Sequence, residues 1–201
     1  EVLAMVAHDL RNPLDTVMMS AAFLSDTVVG LEPGQREHLR MIGRTAERMN
    51  RLIQDLLEVS RLESGTIAVT PAPEPAGSLV REACGSLEQA AAAKSIRLSC
   101  EPGDGLPRVR ADRDRILQVL GNLVGNAIEF TPPHGSIRVQ AERWPRREGW
   151  LEVRVADTGI GIDAAHHEMI FQEFAQVDSS RARSHHGTGL GLAIARNFVQ
   201  L

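Results

Sequence analysis

Two asparagines stand one turn apart in a segment, residues 113–130, whose apolar spacing predicts an α-helix. Asn122 and Asn126 share a polar face with Gln118 and Glu129. Asparagine is a poor helix former because its amide competes for backbone hydrogen bonds, so the pair requires a reason. The amides could meet a cation or a phosphate group, and an exposed polar face that tolerates two asparagines explains the segment equally well.

A carboxylate followed by glycines is the second candidate for chemistry. Asp157 ends an alternating strand and is followed by Gly159 and Gly161. A carboxylate at the end of a strand, beside a loop without side chains, can accept a hydrogen bond from a ligand amine. Taken alone, the pattern fits a plain turn between a strand and a helix better.

The third candidate is a glycine-rich helix start: Gly187, Gly189 and Gly191. Backbone N–H groups at a helix N-terminus bind phosphate well. No Lys-Ser/Thr pair follows as in a P-loop, and no strand immediately precedes as in a Rossmann fingerprint. The polar residues 172–186 before it indicate a lid whose Arg181 and Arg183 are available for phosphate, with a disordered surface loop as the alternative.

The elements that position these groups differ between the two parts of the chain. Apolar residues recur at sevens up to about residue 63, which predicts two long helices joined by a turn at residues 28–35. The repeat comprises Leu3, Leu10, Val17 and Leu24 with Ala7, Leu14, Ala21 and Val28, then Leu39, Ala46 and Ile53 with Ile42, Met49 and Leu56. One hairpin cannot bury both stripes, so we expect a homodimer that forms a four-helix bundle. The alternative is a monomer whose hairpin packs on its own second domain.

From Thr66 onward, strands and helices mix without strict alternation, which predicts an α+β two-layer sandwich with a mixed sheet and helices on one face. Strands are expected at residues 66–71, 96–101, 107–112, 135–144 and 149–157, and helices at 75–95, 113–130, 164–174 and from 188. Asp112 is the expected cap of the asparagine helix. The predicted domains are therefore residues 1–64 and 65–201.

Composition narrows the classes of function. The net charge is −4 and aromatic residues are 3%, which argues against binding to nucleic acid or to an anionic membrane surface. No apolar run is long enough to cross a bilayer. Cys84 and Cys100 lack metal-site spacing and are expected to be buried thiols of a cytoplasmic protein, with a membrane anchor upstream of Glu1 left open.

The asparagine pair, the Asp157 loop and the glycine-rich helix start follow one another along the chain in an order that resembles the motifs of the sensor histidine kinases of two-component systems. The segments GNLVGNAIEFTP, DTGIGI, FQEFAQ and GTGLGLAI are similar to the asparagine, first glycine, phenylalanine and second glycine boxes of that family. The segment HDLRNPL is similar to its phosphoacceptor box, so the resemblance covers essentially the whole chain. It implies a dimerisation and histidine-phosphotransfer hairpin, followed by an ATP-binding domain of the Bergerat type.

The resemblance also implies roles for the nucleotide site. Asn126 is expected to bind Mg²⁺, with Asn122 on the phosphate side, while Asp157 takes the adenine amine. The glycine residues make room for the base or shape the lid hinge, the phenylalanines anchor the other lid edge, and the arginines meet phosphate. These further nucleotide-site residues are Gly159, Gly161, Phe171, Phe174, Arg181, Arg183, Gly187, Thr188, Gly189, Leu190 and Gly191.

His8 is the phosphoacceptor that the resemblance implies. It lies one position beyond Ala7, off the apolar stripe, so we expect it to face solvent as a neutral imidazole that can act as a nucleophile. Asp9 is expected to hold the proton on the other ring nitrogen, and Pro13 to loosen or bend the helix. Asn12 fits the family's pattern for dephosphorylating a response-regulator receiver domain, which is the expected partner.

Three departures from the family pattern matter. Glu129 stands where a phosphate-binding lysine is usual, His185 and His186 stand where glycine is common, and the family's further strands are expected beyond Leu201. Glu129 favours one alternative, a dimeric scaffold that binds a receiver domain with weak catalysis. A second alternative is a gyrase-like or chaperone-like ATPase, against which the His8 hairpin argues.

Overall fold

The computed structural model describes residues 2–176 and 188–201, and the side chains of residues 2–5 and of His8 are not part of that description. The chain divides into two compact units, residues 1–67 and 68–201. The boundary predicted from the sequence was between residues 64 and 65.

The first unit is a hairpin of two long helices, α1 (Val2–Thr27) and α2 (Pro33–Glu63). Helix α2 begins with a capping box, because the backbone N–H of Glu32 donates to Gln35 Oε1 at 3.0 Å and the Glu32 carboxylate accepts in return. The predicted stop is confirmed: Ser64 closes α2, and Gly65 follows with φ +63°, a backbone conformation that favours glycine.

Only part of the predicted apolar stripe is covered within one hairpin. The small members Ala7, Ala21 and Ala46 are buried, as is Val59, which lies outside the predicted repeat. Large members of the same stripe keep 42–48% of their surface exposed: Leu10, Val17, Leu24, Ile42, Met49 and Leu56. A single hairpin therefore leaves a long apolar face uncovered. Helix α1 continues through Pro13.

The second unit contains a three-stranded mixed sheet and a separate two-stranded ribbon. Strands β2 (Arg97–Pro102) and β4 (Ser136–Arg143) are parallel, and β5 (Leu151–Asp157) pairs antiparallel with β4. The ribbon joins β1 (Ala72–Pro75) to β3 (Arg108–Ala111) in antiparallel fashion. The predicted mixed sheet is confirmed, and the strands predicted at 135–144 and 149–157 pair as an antiparallel hairpin.

Two helices cover one face of the three-stranded sheet, as predicted: α3 (Ala76–Ala93) and α4 (Arg113–Phe130). A third helix, α5 (Gly191–Gln200), packs on α4. The core between helices and sheet is formed by Val80, Cys84, Leu120, Val124, Ile137 and Val139, all at most 4% exposed. This core fixes α4, and with it the asparagine face, relative to the end of β5.

Three predicted elements were wrong in place or type. Residues 66–71 form no strand; the Thr70 N–H donates to the Asp112 carboxylate at 2.9 Å instead of to a ladder. The helix predicted over 164–174 is two 3₁₀ turns that end before Phe174, whose φ of +60° excludes a helix. The last helix begins at Gly191, because Gly189 has a left-handed φ of +72°.

The two thiols lie together in the core of the second unit. Burial, with a hydrogen bond to Cys100, raises the pKa of the Cys84 thiol to about 12, while Cys100 is half-buried. Among the described residues no helix has the length and apolarity needed to span a membrane.

Candidate functional site

The asparagine helix is fixed at its start by its own cap. Asp112 accepts the backbone N–H of Arg115 at 3.3 Å, and its other carboxylate oxygen accepts that of Thr70. The Thr70 hydrogen bond, with that from Arg115, holds the pKa of Asp112 below its usual value. The cap predicted from the sequence is therefore confirmed, and the bond to Thr70 is an addition that the sequence did not indicate.

The two asparagines of α4 are both half-buried and have different surroundings. The Asn122 side-chain N–H donates to the Gly191 carbonyl at 3.0 Å, which joins α4 to the first turn of α5. Among the described residues, the Asn126 amide has no hydrogen-bond partner. A Cβ added at the neighbouring Gly125 would meet nothing within 4 Å, so this face of the helix is open beside Asn126.

The donor set around Asn126 suits a hard cation that keeps most of its ligands elsewhere. No group of three or more His, Cys, Asp or Glu side chains with metal-site geometry exists in the described ranges. Mg²⁺ typically takes one or two protein oxygens and completes its shell with water and substrate phosphates. A single amide oxygen at Asn126 fits that mode of binding.

Asp157 ends β5 with an exposed carboxylate. Its Oδ1 accepts the backbone N–H of Gly159 at 2.8 Å, and in the described part of the chain Oδ2 accepts no hydrogen bond. A Cβ at Gly159 would lie 2.6 Å from Asp157 Oδ1 and 2.7 Å from the Phe130 carbonyl oxygen. Only glycine allows this loop to approach the end of α4, and the approach presents one oriented carboxylate oxygen to solvent.

Thr158 is a site residue that the sequence reasoning missed. Its Oγ1 accepts the backbone N–H of Ser136 at 2.9 Å and donates to the Ser136 carbonyl at 3.4 Å, which ties the end of β5 to the start of β4. The only sequence signal for Thr158 was its place between Asp157 and Gly159.

The backbones at the two ends of the predicted lid are in contact with each other. A Cβ at Gly189 would lie 2.9 Å from the Phe174 carbonyl carbon and 3.0 Å from the Ala175 carbonyl oxygen. The Leu190 N–H donates to Thr188 Oγ1 at 3.2 Å, and Leu190 is fully buried. The predicted lid edges at the phenylalanine box and the second glycine box are thus in contact.

The aromatic rings at the lid edge differ in support. The Arg196 guanidinium of α5 lies 5.9 Å from the centre of the Phe171 ring, which is 36% exposed. The Phe174 side chain is 59% exposed. Gly161 has φ +69° and open space around it, as expected for a glycine beside a ligand.

Several predicted site residues lie outside the described residues: Arg181, Arg183, His185, His186 and Gly187. His8 belongs to helix α1, but its side chain is not described. Asp9 and Asn12 on the same helix are exposed. Their assignment to the phosphoacceptor site remains a prediction.

Comparison with known proteins agrees with this geometry. Residues 1–65 match the His Kinase A (phospho-acceptor) domain, and residues 111–201 match the family described as Histidine kinase-, DNA gyrase B-, and HSP90-like ATPase. The circadian input-output histidine kinase CikA of Synechococcus elongatus is 36% identical over 205 residues, which cover 100% of this chain and 27% of CikA. The chain therefore spans about a quarter of the length of that relative.

Two solved proteins have similar structures. Full-length ShkA in complex with AMPPNP has a TM-score of 0.79 and 30% identity, covering 100% of this chain and 40% of ShkA. ThkA in complex with the response regulator TrrA has a TM-score of 0.64 and 28% identity, covering 98% of this chain and 53% of ThkA. The catalytic domain of ThkA alone is 30% identical and is covered to 82%, with a TM-score of 0.54.

A helical hairpin with a phosphoacceptor motif, followed by an ATPase-type α+β unit, defines the class of two-component sensor kinases. The chain belongs to the histidine kinase family.

Proposed function

We propose that this chain is an ATP-dependent protein-histidine kinase that phosphorylates itself on His8 and passes the phosphoryl group to an aspartate of a response-regulator receiver domain. The observation that carries the proposal is the arrangement of three groups along the C-terminal half of α4: the loop after Asp157 meets Phe130, the Asn126 amide has no partner among the described residues, and the start of α5 meets Asn122. The resemblance of each unit to its own histidine kinase domain supports the pairing of this site with a histidine.

The nucleotide binds with its adenine at Asp157. The exposed Oδ2 accepts a hydrogen bond from the exocyclic amine, and Gly159 and Gly161 leave room for the ring. The first turn of α5, which begins at Gly191, directs backbone N–H groups and the positive end of its dipole towards the phosphates. Arg181 and Arg183 contribute positive charge from the lid.

Mg²⁺ is held by the Asn126 side-chain oxygen together with nucleotide phosphates and water. When bound, the cation neutralises phosphate charge and orients the γ-phosphate. Asn122 serves a different purpose, because its N–H already binds the Gly191 carbonyl. It holds α5 at the distance from α4 that the phosphates require.

His8 is the nucleophile. Asp9 accepts a hydrogen bond from Nδ1–H and keeps the proton on that nitrogen, so the lone pair of Nε2 attacks the γ-phosphorus as the bond from this phosphorus to the departing ADP oxygen breaks. The products are Nε2-phosphohistidine and ADP. The phosphohistidine then donates its phosphoryl group to a receiver aspartate; the structure of ThkA in complex with the response regulator TrrA supports this class of partner.

A second activity is the hydrolysis of the receiver's phosphoaspartate. The exposed amide of Asn12, one turn after His8, orients the attacking water. Replacing Asn12 with Ala preserves autophosphorylation and lowers the phosphatase rate. Equal loss of both activities would contradict a separate role for Asn12.

The active form is a homodimer through the hairpin, which supplies the second half of a four-helix bundle. The apolar face that one hairpin leaves exposed supports this arrangement. The kinase acts in the cytoplasm, without contact with nucleic acid and without direct membrane contact by this segment; the longer length of its relatives leaves room for a membrane-anchored sensor.

The decisive experiment is incubation of the protein with γ-³²P-ATP and Mg²⁺. We expect acid-labile, alkali-stable label that disappears in His8→Ala. The matched control is His38→Ala, which removes a histidine on α2 whose Nδ1 lies 2.7 Å from the Gly34 carbonyl oxygen. Label that persists in His8→Ala, or free phosphate release without labelled protein, would overturn the proposal.

A further inference from the structure

The end of helix α4 has an unusual partner. The last four carbonyls of an α-helix have no acceptor role within the helix and need other donors. Ala127 O accepts the N–H of Thr131 at 3.0 Å. The next two carbonyls, of Ile128 and Glu129, both accept from the ammonium of Lys94, at 2.8 and 2.6 Å. The side chain that caps the end of α3 thus satisfies half of the end of α4.

The fourth carbonyl, that of Phe130, contacts the loop that follows β5. This loop, residues 158–161, is called the adenine loop because it lies beside the proposed adenine site. Phe130 O accepts the N–H of Ile160 at 3.3 Å and is the atom that a Cβ at Gly159 would meet at 2.7 Å. Gly159 in turn donates its N–H to Asp157 Oδ1. The Phe130 carbonyl is therefore one anchor of the loop after β5 that begins at Asp157, beside the hydrogen bonds of Thr158 to Ser136.

The backbone that carries Lys94 is fixed on both sides. It follows α3, where the N–H of Ile96 donates back to Ala91 O at 2.9 Å in a Schellman-type ending. Ser95 has a left-handed φ of +58°, and its carbonyl accepts the N–H of His134, itself at φ +68°, at 2.9 Å. Two non-glycine residues in this conformation cost free energy, which the surrounding structure must offset.

The chemistry of this contact selects lysine. Lys94 is the sole lysine of the sequence, and the other 21 of its 22 basic residues are arginines. A compact ammonium with three donors can serve two adjacent carbonyls at once, whereas a planar guanidinium matches forked acceptors. Its positive charge also lies at the negative end of the α4 dipole.

We propose that Lys94 is a positioning residue for the adenine end of the nucleotide site. Its ammonium closes the end of α4, leaves the Phe130 carbonyl to the N–H of Ile160, and so holds Asp157 in place. Without it, the carbonyls of Ile128 and Glu129 lack donors and the helix end frays, which releases the adenine loop. The inference rests on the proposed binding of ATP.

The test compares Lys94→Met, Lys94→Arg and a control, Arg146→Met, which removes an exposed cation from the β4–β5 turn. Calorimetry with ADP and with ATP should show about tenfold weaker binding of both nucleotides in Lys94→Met, the size expected for one lost charged hydrogen bond. Because the effect is at the adenine end, both nucleotides lose affinity by the same factor. Lys94→Arg should recover part of the affinity, and Arg146→Met should bind like the wild type.

Hydrogen exchange of the nucleotide-free protein provides a second measurement. The amide of Ile160 should exchange at least about tenfold faster in Lys94→Met, since its acceptor has moved, while amides of central β4 keep their protection. Wild-type affinity with wild-type Ile160 protection in folded Lys94→Met would overturn the inference, and so would a loss for ATP alone. If Lys94→Met does not fold, unchanged affinity and protection in Lys94→Arg would overturn it. If wild-type protein binds no nucleotide, the proposed function fails first.

Discussion

The side chain of Asn122 in α4 donates a hydrogen bond to the Gly191 carbonyl, the first residue of α5, across 69 positions of sequence. The two groups are in close contact, since a Cβ at Gly191 would lie 3.5 Å from Asn122 Cγ. The bond joins the asparagine box to the second glycine box, which the sequence could only place in order along the chain.

Asn122→Asp should be more harmful than Asn122→Ala. The alanine variant loses one hydrogen bond, about 1 kcal/mol of stability, whereas the aspartate places a carboxylate oxygen against a carbonyl oxygen and costs about 2 kcal/mol or more. Urea unfolding of the nucleotide-free protein measures the difference. Equal stabilities of the two variants would show that the donor role of Asn122 is wrong.

The contact of Gly189 with the other edge of the lid can be tested with Gly161 as the matched control. Both have a left-handed φ, but only Gly189 has backbone atoms of Phe174 and Ala175 within 3.0 Å of an added Cβ. Gly161→Ala should cost about 1 kcal/mol for the conformation alone, and Gly189→Ala about 3 kcal/mol because the backbone must also move. Denaturant unfolding of both variants checks this order, and the reverse order would contradict the contact.

The ionisation of Asp112 should make the free energy of unfolding depend on pH. The Thr70 N–H lowers the folded-state pKa of Asp112 from 3.8, so its contribution is complete well above that value and is lost as the pH falls through the folded pKa. Asp112→Asn should therefore unfold at lower urea than wild type at neutral pH, and the gap should close in acid. The control is Asp114→Asn, in the same helical turn with a side chain 90% exposed. A gap that does not change with pH would refute the prediction.

Glu129→Lys should strengthen the binding of ATP. Glu129 follows Asn126 by one turn on α4 and is half-buried, and its negative charge repels phosphate. Reversing the charge should tighten ATP binding by roughly threefold to tenfold at low salt, as expected for about 1 kcal/mol at a protein surface. Glu129→Gln should give a smaller gain, and ADP should gain less than ATP. Unchanged affinity at low salt would mean that the carboxylate points away from the nucleotide.

The sequence predicted the elements that local patterns specify, and it failed where contacts between residues distant in sequence decide the structure. Periodic apolar patterns predicted both hairpin helices, α3, α4 and the β4–β5 pair, because each pattern reports burial of one face. The strand at 66–71 and the helix at 164–174 were wrong, since a tertiary bond from Thr70 and the left-handed Phe174 decided those segments.

The site divides in the same way. Motif order indicated Asn126 and Asp157, because each is a local group with a recognisable setting. The partners that hold the site are distant in sequence: Gly191 for Asn122, Ser136 for Thr158, and the end of α4 for Lys94. Such pairs depend on how helices and strands pack, and no local pattern reports that.

The exposed apolar stripe of the hairpin gives the most discriminating prediction. Of two neighbouring residues, the less exposed one should matter more for dimerisation. Leu24 lies on the stripe and is 43% exposed, whereas Phe23 lies off it and is 65% exposed. In a four-helix bundle the stripe is buried by the second hairpin, so Leu24→Glu places a charge in that interface, while Phe23→Glu stays in solvent. Sedimentation equilibrium should show a dimer for wild type and Phe23→Glu, and an apparent dissociation constant raised at least about a hundredfold for Leu24→Glu, or about 3 kcal/mol. Dissociation by Phe23→Glu alone, or a monomeric wild type, would show that the hairpin stripe is not the dimer interface.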